Sequence, residues 1–589
     1  MTPTGSRADA AGNGIGKVVF ADEAVRAQFV GAVAQLSRPA PQTWRQVKHN
    51  ASRTVYRGSL GGQEIYLKHF HSRSLAHRVL RRLGSSDAMR EMRFSRYLAD
   101  NGVPTARALA AACNGRTEWL ATQAVAPAEP VDAWHERQLR SGPAGRRLIQ
   151  RAIVRLAKIV GRMHAAGVTH SDLHCGNVLV RTDAGRADHV DLVLMDLHRA
   201  HRRRKLSRRA RAVDLAMLFH DRYYFTTRTE RLRFLKHYLA ASEAPGSLRG
   251  WQSMVEHFAH MHTRRQHNQR DRRLFKRSRY FTRLRLPAGW RGFAVLASKR
   301  HMAGSRAAEC VLKAEDWQEL LRRPEKLLTG EGAEVVKDSR SSLVVRRKLQ
   351  VGPHGLDVYV KHPRRKHAWK VLLDCFRPSR PVRAFTLGHA LLTRRIATAL
   401  PLAALERRIG PILVDSLLIT EAVEAPGLHE FLNTWLGSPP RGDAPLPGAQ
   451  QRQLGQEVLW QLGRVLQRLH DNRFAHRDLK ATNLLVRWSK SAPPEVVLLD
   501  LDGLTRRRVL TARRRFQGLM RLNVSLLKCP VVNRAGRLRM LLGYLRRPGS
   551  GRIHFKPYWR ILERWSAKKL RQQIRSRRRR QRAVRRPGT

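Results

Sequence analysis

The sequence predicts an α+β protein made of two bilobal domains in tandem, each a small, mostly β lobe followed by a larger helical lobe. Three observations predict it. HSDLHCGNVLV (170–180) sets His170, Asp172 and Asn177 in the pattern H-x-D-L-x-x-x-N, ahead of an apolar strand that ends on Asp196. HRDLKATNLLV repeats the pattern with His476, Asp478 and Asn483, ahead of VVLLDLDG and Asp500. The flanking segments repeat as well: VKHNASRTVYRGSL returns as VKDSRSSLVVRRKL, EIYLKHF as DVYVKHP, and RLRFLKHYL as RLRMLLGYL.

Composition bounds the function classes. A chain of 589 residues holds two or three domains with real cores. Lys+Arg is 114 against Asp+Glu 45, a formal net charge of +69. Such a surface attracts phosphates, nucleic acid or anionic lipid, and an arginine-rich, merely solvated surface is the bland alternative. The five cysteines are scattered without a C-x-x-C, which argues against a zinc site or a disulfide framework and fits a reducing cytosol. Residues 1 to 25 lack a signal-peptide apolar core, and no 18-residue apolar run is present. The expected location is cytoplasmic, with peripheral contact at an anionic inner membrane surface left open.

The paired motifs are those of protein-kinase-like phosphotransferases, and the first copy carries the full set. Residues 1–16 are expected to be disordered, within a tail over 1–40 that includes a short helix near 22–36. The first domain is assigned to 41–290. WRQVKH, TVYRGSL and EIYLKHF alternate as strands, with Gly61-Gly62 as a hairpin turn. Lys68 ends the third of these strands, where a kinase delivers a lysine to the nucleotide phosphates. Ser86 or Asp87 caps a helix that carries Glu91 and closes near Gly102. The spacing of Glu91 from Lys68 suits an ion pair that holds the lysine. WLATQAVAP is the last strand of the small lobe running into a hinge that binds adenine.

Leu148, Ile149, Ile153, Leu156, Ile159, Val160 and Met163 form the apolar stripe of a buried helix before the catalytic loop. In that loop Asp172 accepts or orients the acceptor hydroxyl, and Asn177 and Asp196 hold Mg²⁺ against the phosphates of ATP. His170 braces the loop. His174 replaces the lysine usual in protein kinases, which tilts the reading toward small-molecule kinases similar to aminoglycoside phosphotransferases. The segment after Asp196 carries Arg199, Arg202, Arg203, Arg204, Lys205, Arg208, Arg209 and Arg211. It reads either as a docking surface for a phosphorylated or acidic acceptor or as a solvated loop. By resemblance to kinases, Asp214 is the buried aspartate that anchors the catalytic loop. The basic run from Arg264 to Arg285, with Phe275, Tyr280 and Phe281, could meet nucleic acid or a membrane, or be the last helix of the large lobe.

A connector with one helix near 315–323 is assigned to 291–330, and a second, partly degenerate domain to 331–565. This domain keeps Lys361, Asp478, Asn483 and Asp500. Ala384 stands where the first copy has Glu91, and Gly518 where it has Asp214. Nucleotide and metal binding survive in this reading, while catalysis by the second copy is in doubt and a substrate-binding or regulatory role is open. GSPPRGDAPLPG (437–448) is an inserted loop, and 566–589 is a basic tail that favours polyanions.

The set YLKHF, NGVPTARALA, HSDLHCGN with MDLHRA, and HRDLKATNLL with LDLDG and MRLNVSL resembles the lipopolysaccharide inner-core (Kdo/heptose) kinase family of bacteria. The resemblance covers about 45–290 and 330–565. It implies phosphate transfer from ATP, with Mg²⁺, to a sugar hydroxyl of an anionic glycolipid at the cytosolic face of the inner membrane. The tandem arrangement departs from single-domain members. A protein or other small-molecule kinase, and a kinase-like scaffold that binds polyanions such as nucleic acid, remain the alternatives.

Overall fold

The computed structural model describes residues 17–20, 25–36, 43–50, 52–71, 86–113, 117–181, 190–222, 225–297, 310–364, 375, 377–437, 448–489, 492–546 and 553–584. The expected disorder of 1–16 and most of the inserted loop (438–447) lie outside the described residues. The chain divides into two compact units, Met1–Arg264 and Arg265–Thr589, the division falling within the helix Leu248–Arg273.

The first unit opens on an antiparallel sheet. Its strands run in the order Lys17–Phe20, Ala108–Cys113, Glu118–Gln123, Gln63–Phe70, Arg53–Leu60, Arg45–Asn50. Gly61 and Gly62 take positive φ of 59° and 75°, the conformation of a tight hairpin turn that glycine adopts without a Cβ clash. Register places Val55, Lys68 and Leu120 side by side, so Lys68 comes from a central strand. The helix Asp87–Asp100 packs against this sheet. Ser86 caps it by accepting from the Met89 N–H, and Glu118 accepts from the Ser86 hydroxyl and the Ala88 N–H.

The larger lobe is built on the helix Gly142–Ala165, whose buried face carries Ile149, Ala152, Leu156, Ile159, Val160 and Met163. The helix Arg228–Ser242, started by a Thr227–Glu230 capping box, packs across it, and Trp251 and Val255 of Leu248–Arg273 close the core. A bridge between Thr105 and Leu194 ties the segment after the first lobe's helix to the strand before Asp196.

The second unit repeats this plan. Its sheet has seven strands in the order Phe281–Arg285, Trp290–Val295, Pro401–Ile409, Ile412–Glu421, His354–Pro363, Ser342–Val351, Glu334–Ser339. Trp290–Val295 pairs with Pro401–Ile409 as Lys17–Phe20 pairs with Ala108–Cys113. The repeat therefore takes in segments that sequence pattern alone assigned elsewhere. Residues 281–295, split there between the first domain and a connector, add two strands to the second sheet. Leu284, Trp290 and Ala294 turn into its core, and Trp317 of the helix Ala314–Leu320 donates its ring N–H to the Val295 carbonyl at 2.8 Å. Of the basic run 264–285, residues to Arg273 are helical and Phe281–Arg285 is strand.

In the second helical lobe, Gly448–Asp471 and Arg534–Leu545 cross as their counterparts do in the first. The helix Lys556–Val584 docks through Trp559 and Leu562, and Asn523 donates to the Ser566 hydroxyl at 2.9 Å. The Thr398–Leu498 bridge matches Thr105–Leu194 and fixes the equivalence of Ala384 with Glu91 on structural grounds.

Candidate active site

In the first unit the strand Gln63–Phe70 and the helix Asp87–Asp100 bring Lys68 Nζ and Glu91 Oε1 to 2.6 Å, both side chains buried. A buried pair of this kind holds the amine at one place, and removing either partner strands a charge. Glu91 Oε2 has no hydrogen-bond partner among the described residues, so the carboxylate keeps one free oxygen facing the site.

The catalytic loop is braced from below. Asp214, 1% exposed, accepts from the peptide N–H of His170 and of Ser171, each at 2.8 Å. His164 Nε2 lies 3.1 Å from the same carboxylate, and its Nδ1 is 2.8 Å from the Tyr238 hydroxyl. Burial pushes the Asp214 carboxyl up, but the hydrogen bond from His164, the neighbouring His164 and His170 rings and the His170 N–H hold it below its ordinary value. Ser171 takes φ 60°, a left-handed turn that the two Asp214 bonds stabilise. His170 is buried and within 3.1 Å of the Met195 carbonyl through Nε2, which fits its assigned role as a brace.

Asn177 donates its Nδ2 to the Asp172 carbonyl at 3.0 Å, which leaves Oδ1 to face the site. Asp172 itself is partly exposed, with Arg199 at 3.8 Å. Asp196 sits in the left-handed region at φ 70° and is 5% exposed. Its two oxygens are gripped by Arg53 in a bidentate pair at 2.5 and 2.6 Å, and His198 Nδ1 is 2.7 Å from Oδ1. Burial pushes the Asp196 carboxyl up, and the Arg53 and His198 hydrogen bonds with the Lys68 charge overcome it, holding the group well below 3.8. Glu91, Asp196 and His198 each offer a ligand atom within 4.8 Å of the others. Two carboxylates beside an imidazole are donors that a divalent cation accepts.

Arg53 was not singled out in the sequence. It begins the strand Arg53–Leu60 and looks like one more surface arginine, because its partner lies 143 residues on. The basic segment after Asp196 divides. Arg202 stacks over Tyr97, Arg208 over Trp251 and Arg209 over Phe258, while Arg211 donates to the Ser242 carbonyl. These four lean on the fold, although Arg202, Arg208 and Arg209 stay exposed, and Arg199, Arg203, Arg204 and Lys205 are exposed beside the loop.

The second unit assembles the same parts differently. Asn483 donates to the Asp478 carbonyl at 2.9 Å, and Asp500 takes φ 50°, as in the first unit. Ala384 is 2% exposed in the helix Arg380–Thr393 and offers Lys361 nothing. Lys361 Nζ turns instead to Asp502 at 2.6 Å and Asp500 at 3.1 Å. Burial pulls the amine down, and the Asp502 and Asp500 charges outweigh it and raise it above its ordinary value. By strand register Ser342 occupies the place of Arg53, and among the described residues no arginine grips Asp500. Gly518 leaves the catalytic loop without an aspartate, and the Arg477 N–H goes to the Gly503 carbonyl at 2.8 Å. Asp478 is exposed and paired with Lys480 at 2.9 Å.

A small sheet lobe that carries a lysine, a helical lobe that carries H-x-D…N, and an aspartate at the end of the following strand define a kinase-like enzyme. The sequence pattern of the lipopolysaccharide kinase (Kdo/WaaP) family matches the chain twice, over residues 43–238 and 334–544, and the chain belongs to that family. The lipopolysaccharide core heptose(I) kinase WaaP of Pseudomonas aeruginosa is 33% identical over 158 residues, 26% of this chain and 59% of that protein. The enzyme of the same name from Escherichia coli K12 is 27% identical over 219 residues, 35% of this chain and 81% of that protein. Among solved structures, WaaP in complex with acyl carrier protein aligns over 42% of this chain and 98% of that chain, at 24% identity and a TM-score of 0.34. The BubR1 kinase domain aligns over 37% and 81%, at 10% identity and a TM-score of 0.26. No helix among the described residues is long and apolar enough to cross a membrane.

Proposed function

We propose that the first domain transfers the terminal phosphoryl group of ATP to a sugar hydroxyl of the lipopolysaccharide core or a related anionic glycolipid. The observation that carries this reading is the buried Lys68–Glu91 pair standing with Asp172, Asn177 and Asp196, a set that only the first unit assembles in full. Lys68, held by Glu91, meets the nucleotide phosphates. Asp172, partly exposed at the rim of the loop, takes the hydroxyl proton as the acceptor oxygen attacks phosphorus and the bond to the leaving diphosphate breaks. Asn177 Oδ1 and the deprotonated Asp196 would hold Mg²⁺, which would supply positive charge against the phosphates. Arg53 sets a positive charge against both Asp196 oxygens, and Oδ2, which accepts from Arg53 alone among the described residues, keeps a lone pair for the ion. Arg199 and the exposed Arg203, Arg204 and Lys205 offer charge to an acidic acceptor.

The family relation and the basic surface support action at the cytoplasmic face of the inner membrane, through peripheral contact with anionic lipid. The second domain, with its lysine drawn onto Asp500 and Asp502, is read as a weak or silent catalyst that keeps nucleotide- and metal-binding groups in Lys361, Asn483 and Asp500. The test is transfer from labelled ATP with Mg²⁺ to two acceptors, a lipopolysaccharide extract and a generic basic protein. Label in the glycolipid that disappears in Asp172→Ala supports the proposal. Label in the protein alone would point to a protein kinase, and no transfer at all would point to a kinase-like scaffold.

A further inference from the structure

A cavity of about 1070 Å³ opens in the second domain behind its catalytic loop. Its walls come from the first turn of the helix Arg380–Thr393, from the segment around His476, from the strand Leu504–Arg506 with Arg507 beyond it, and from the helix Ala512–Leu526. Eight arginines line it against a single carboxylate, Asp502, and that carboxylate is engaged by Lys361 at 2.6 Å. Arg506 is neutralised by Asp271. The side chains of Arg377, Arg380, Arg383, Arg477, Arg514 and Arg521 make no ion pair or hydrogen bond among the described residues.

A concavity walled by one sign of charge focuses the field and draws in counter-charge. Guanidinium forks match phosphate oxygens two at a time, and here they approach from three separate elements. The volume is near that of pockets for ligands of several hundred daltons, roughly 300–1,000 Å³, and exceeds what a single phosphate fills.

The floor supplies a second, independent observation. In the first domain Asp214 fills the space beneath the catalytic loop and meets His164 Nε2. In the second, the equivalent His470 keeps its tyrosine, Tyr544, at 3.0 Å through Nδ1, but its Nε2 faces Gly518, where even a Cβ would lie 3.0 Å away. Both His470 and Gly518 line the cavity. With no carboxylate between them, the His470 ring lies against Gly518, and the two together form the floor of the arginine-lined space.

We propose that this cavity binds a ligand bearing two or more phosphate groups, seated among Arg377, Arg380, Arg383, Arg477, Arg514 and Arg521, with one oxyanion reaching the floor formed by His470 and Gly518. The ligand thereby brings negative charge beneath a loop that in this copy has no aspartate below it. The inference goes beyond the transfer reaction assigned to the first domain and stands whichever acceptor that domain uses.

The test measures binding to the full chain of two probes: inositol hexakisphosphate, by calorimetry, and phosphatidylcholine vesicles doped with a diphosphorylated glycolipid, by flotation. Binding of the soluble probe alone identifies a free polyphosphate as the ligand, and binding of the vesicles alone identifies a lipid headgroup. Either supports the site if Arg383→Gln with Arg521→Gln weakens binding by about tenfold or more. A control, Arg560→Gln with Arg564→Gln on exposed positions of the helix Lys556–Val584, removes the same charge elsewhere and should cost little. Gly518→Asp should abolish binding by placing a carboxylate on the floor of the cavity, and the arginine pair decides the matter if that variant fails to fold. Absence of binding to both probes, or equal losses in the arginine pair and the control, overturns the proposal.

Discussion

The two domains place a lysine on the same strand of the same sheet and then use it differently. In the first, Lys68 is claimed by Glu91 and Asp196 by Arg53, two separate pairs side by side. In the second, Ala384 and Ser342 remove both partners, and the lysine and the aspartates collapse onto each other. The difference shows that the helix glutamate does more than neutralise a charge. It keeps the lysine off Asp196, the aspartate proposed to hold the metal, so that the two groups do not neutralise each other. Beneath the loop the contrast recurs. Asp214 ties three groups together, and Gly518 ties none.

The largest expected effect breaks the comparison at the lysines. Lys68→Met should lower the rate of transfer by about 10²- to 10³-fold, the scale of losing one preorganised charge at a developing negative centre. Lys361→Met should change it little, and equal losses measured in steady-state transfer would put both copies to work. Next comes the buried pair itself. Glu91→Ala strands Lys68 in a dry site and should destabilise the first unit by about 3–5 kcal/mol, read from denaturant unfolding. Ala384→Glu in the second unit should draw Lys361 away from Asp500 and raise nucleotide affinity there, which equilibrium binding of a nucleotide analogue would show.

Acid sharpens the contrast. In the second unit burial pushes His389 down to about 4, and burial together with the Arg515 charge pushes His470 down to about 3. A histidine buried neutral takes its proton first in the unfolded chain. Its contribution is therefore full above 6.5 and is lost as pH falls from 6.5 toward the folded value, on the order of 3 kcal/mol for His389. In the first unit Asp214 and Asp196 are held low, so their contribution is full above 3.8 and lost only as pH falls further through their folded values. Hydrogen exchange followed from pH 7 to 4 should show the second unit loosening while the first holds. The smallest expected effect is one the copies share. A Cβ on Gly161 would come within 2.7 Å of the Ala241 Cβ, and one on Gly463 within 2.1 Å of the Met540 carbonyl oxygen. Alanine at either should cost about 1–3 kcal/mol in its own unit, seen in thermal melts, because both sit where two long helices cross.

What the sequence made legible was what local spacing encodes. The H-x-D…N loops, the Lys68–Glu91 spacing and the helical stripe of Gly142–Ala165 all come from short-range pattern, and the loss of Glu91 and Asp214 equivalents could be read by counting along the repeat. Arg53 escaped because strand arginines are common in a chain of this charge and its partner is brought near only by the closing of two lobes of one unit. Asp502 escaped because its role exists only when the helix glutamate is missing. Strands Phe281–Arg285 and Trp290–Val295 were split between neighbouring segments because their basic residues masked the apolar side, Leu284, Trp290 and Ala294, that the second sheet buries.

The central claim is a division of labour between the copies. The most direct test is the rate of phosphoryl transfer to the glycolipid by Asp196→Ala, Asp500→Ala and the wild-type chain, each checked for folding by circular dichroism. The account predicts no transfer from Asp196→Ala and a smaller loss from Asp500→Ala. Equal loss from both, or greater loss from Asp500→Ala, would contradict it.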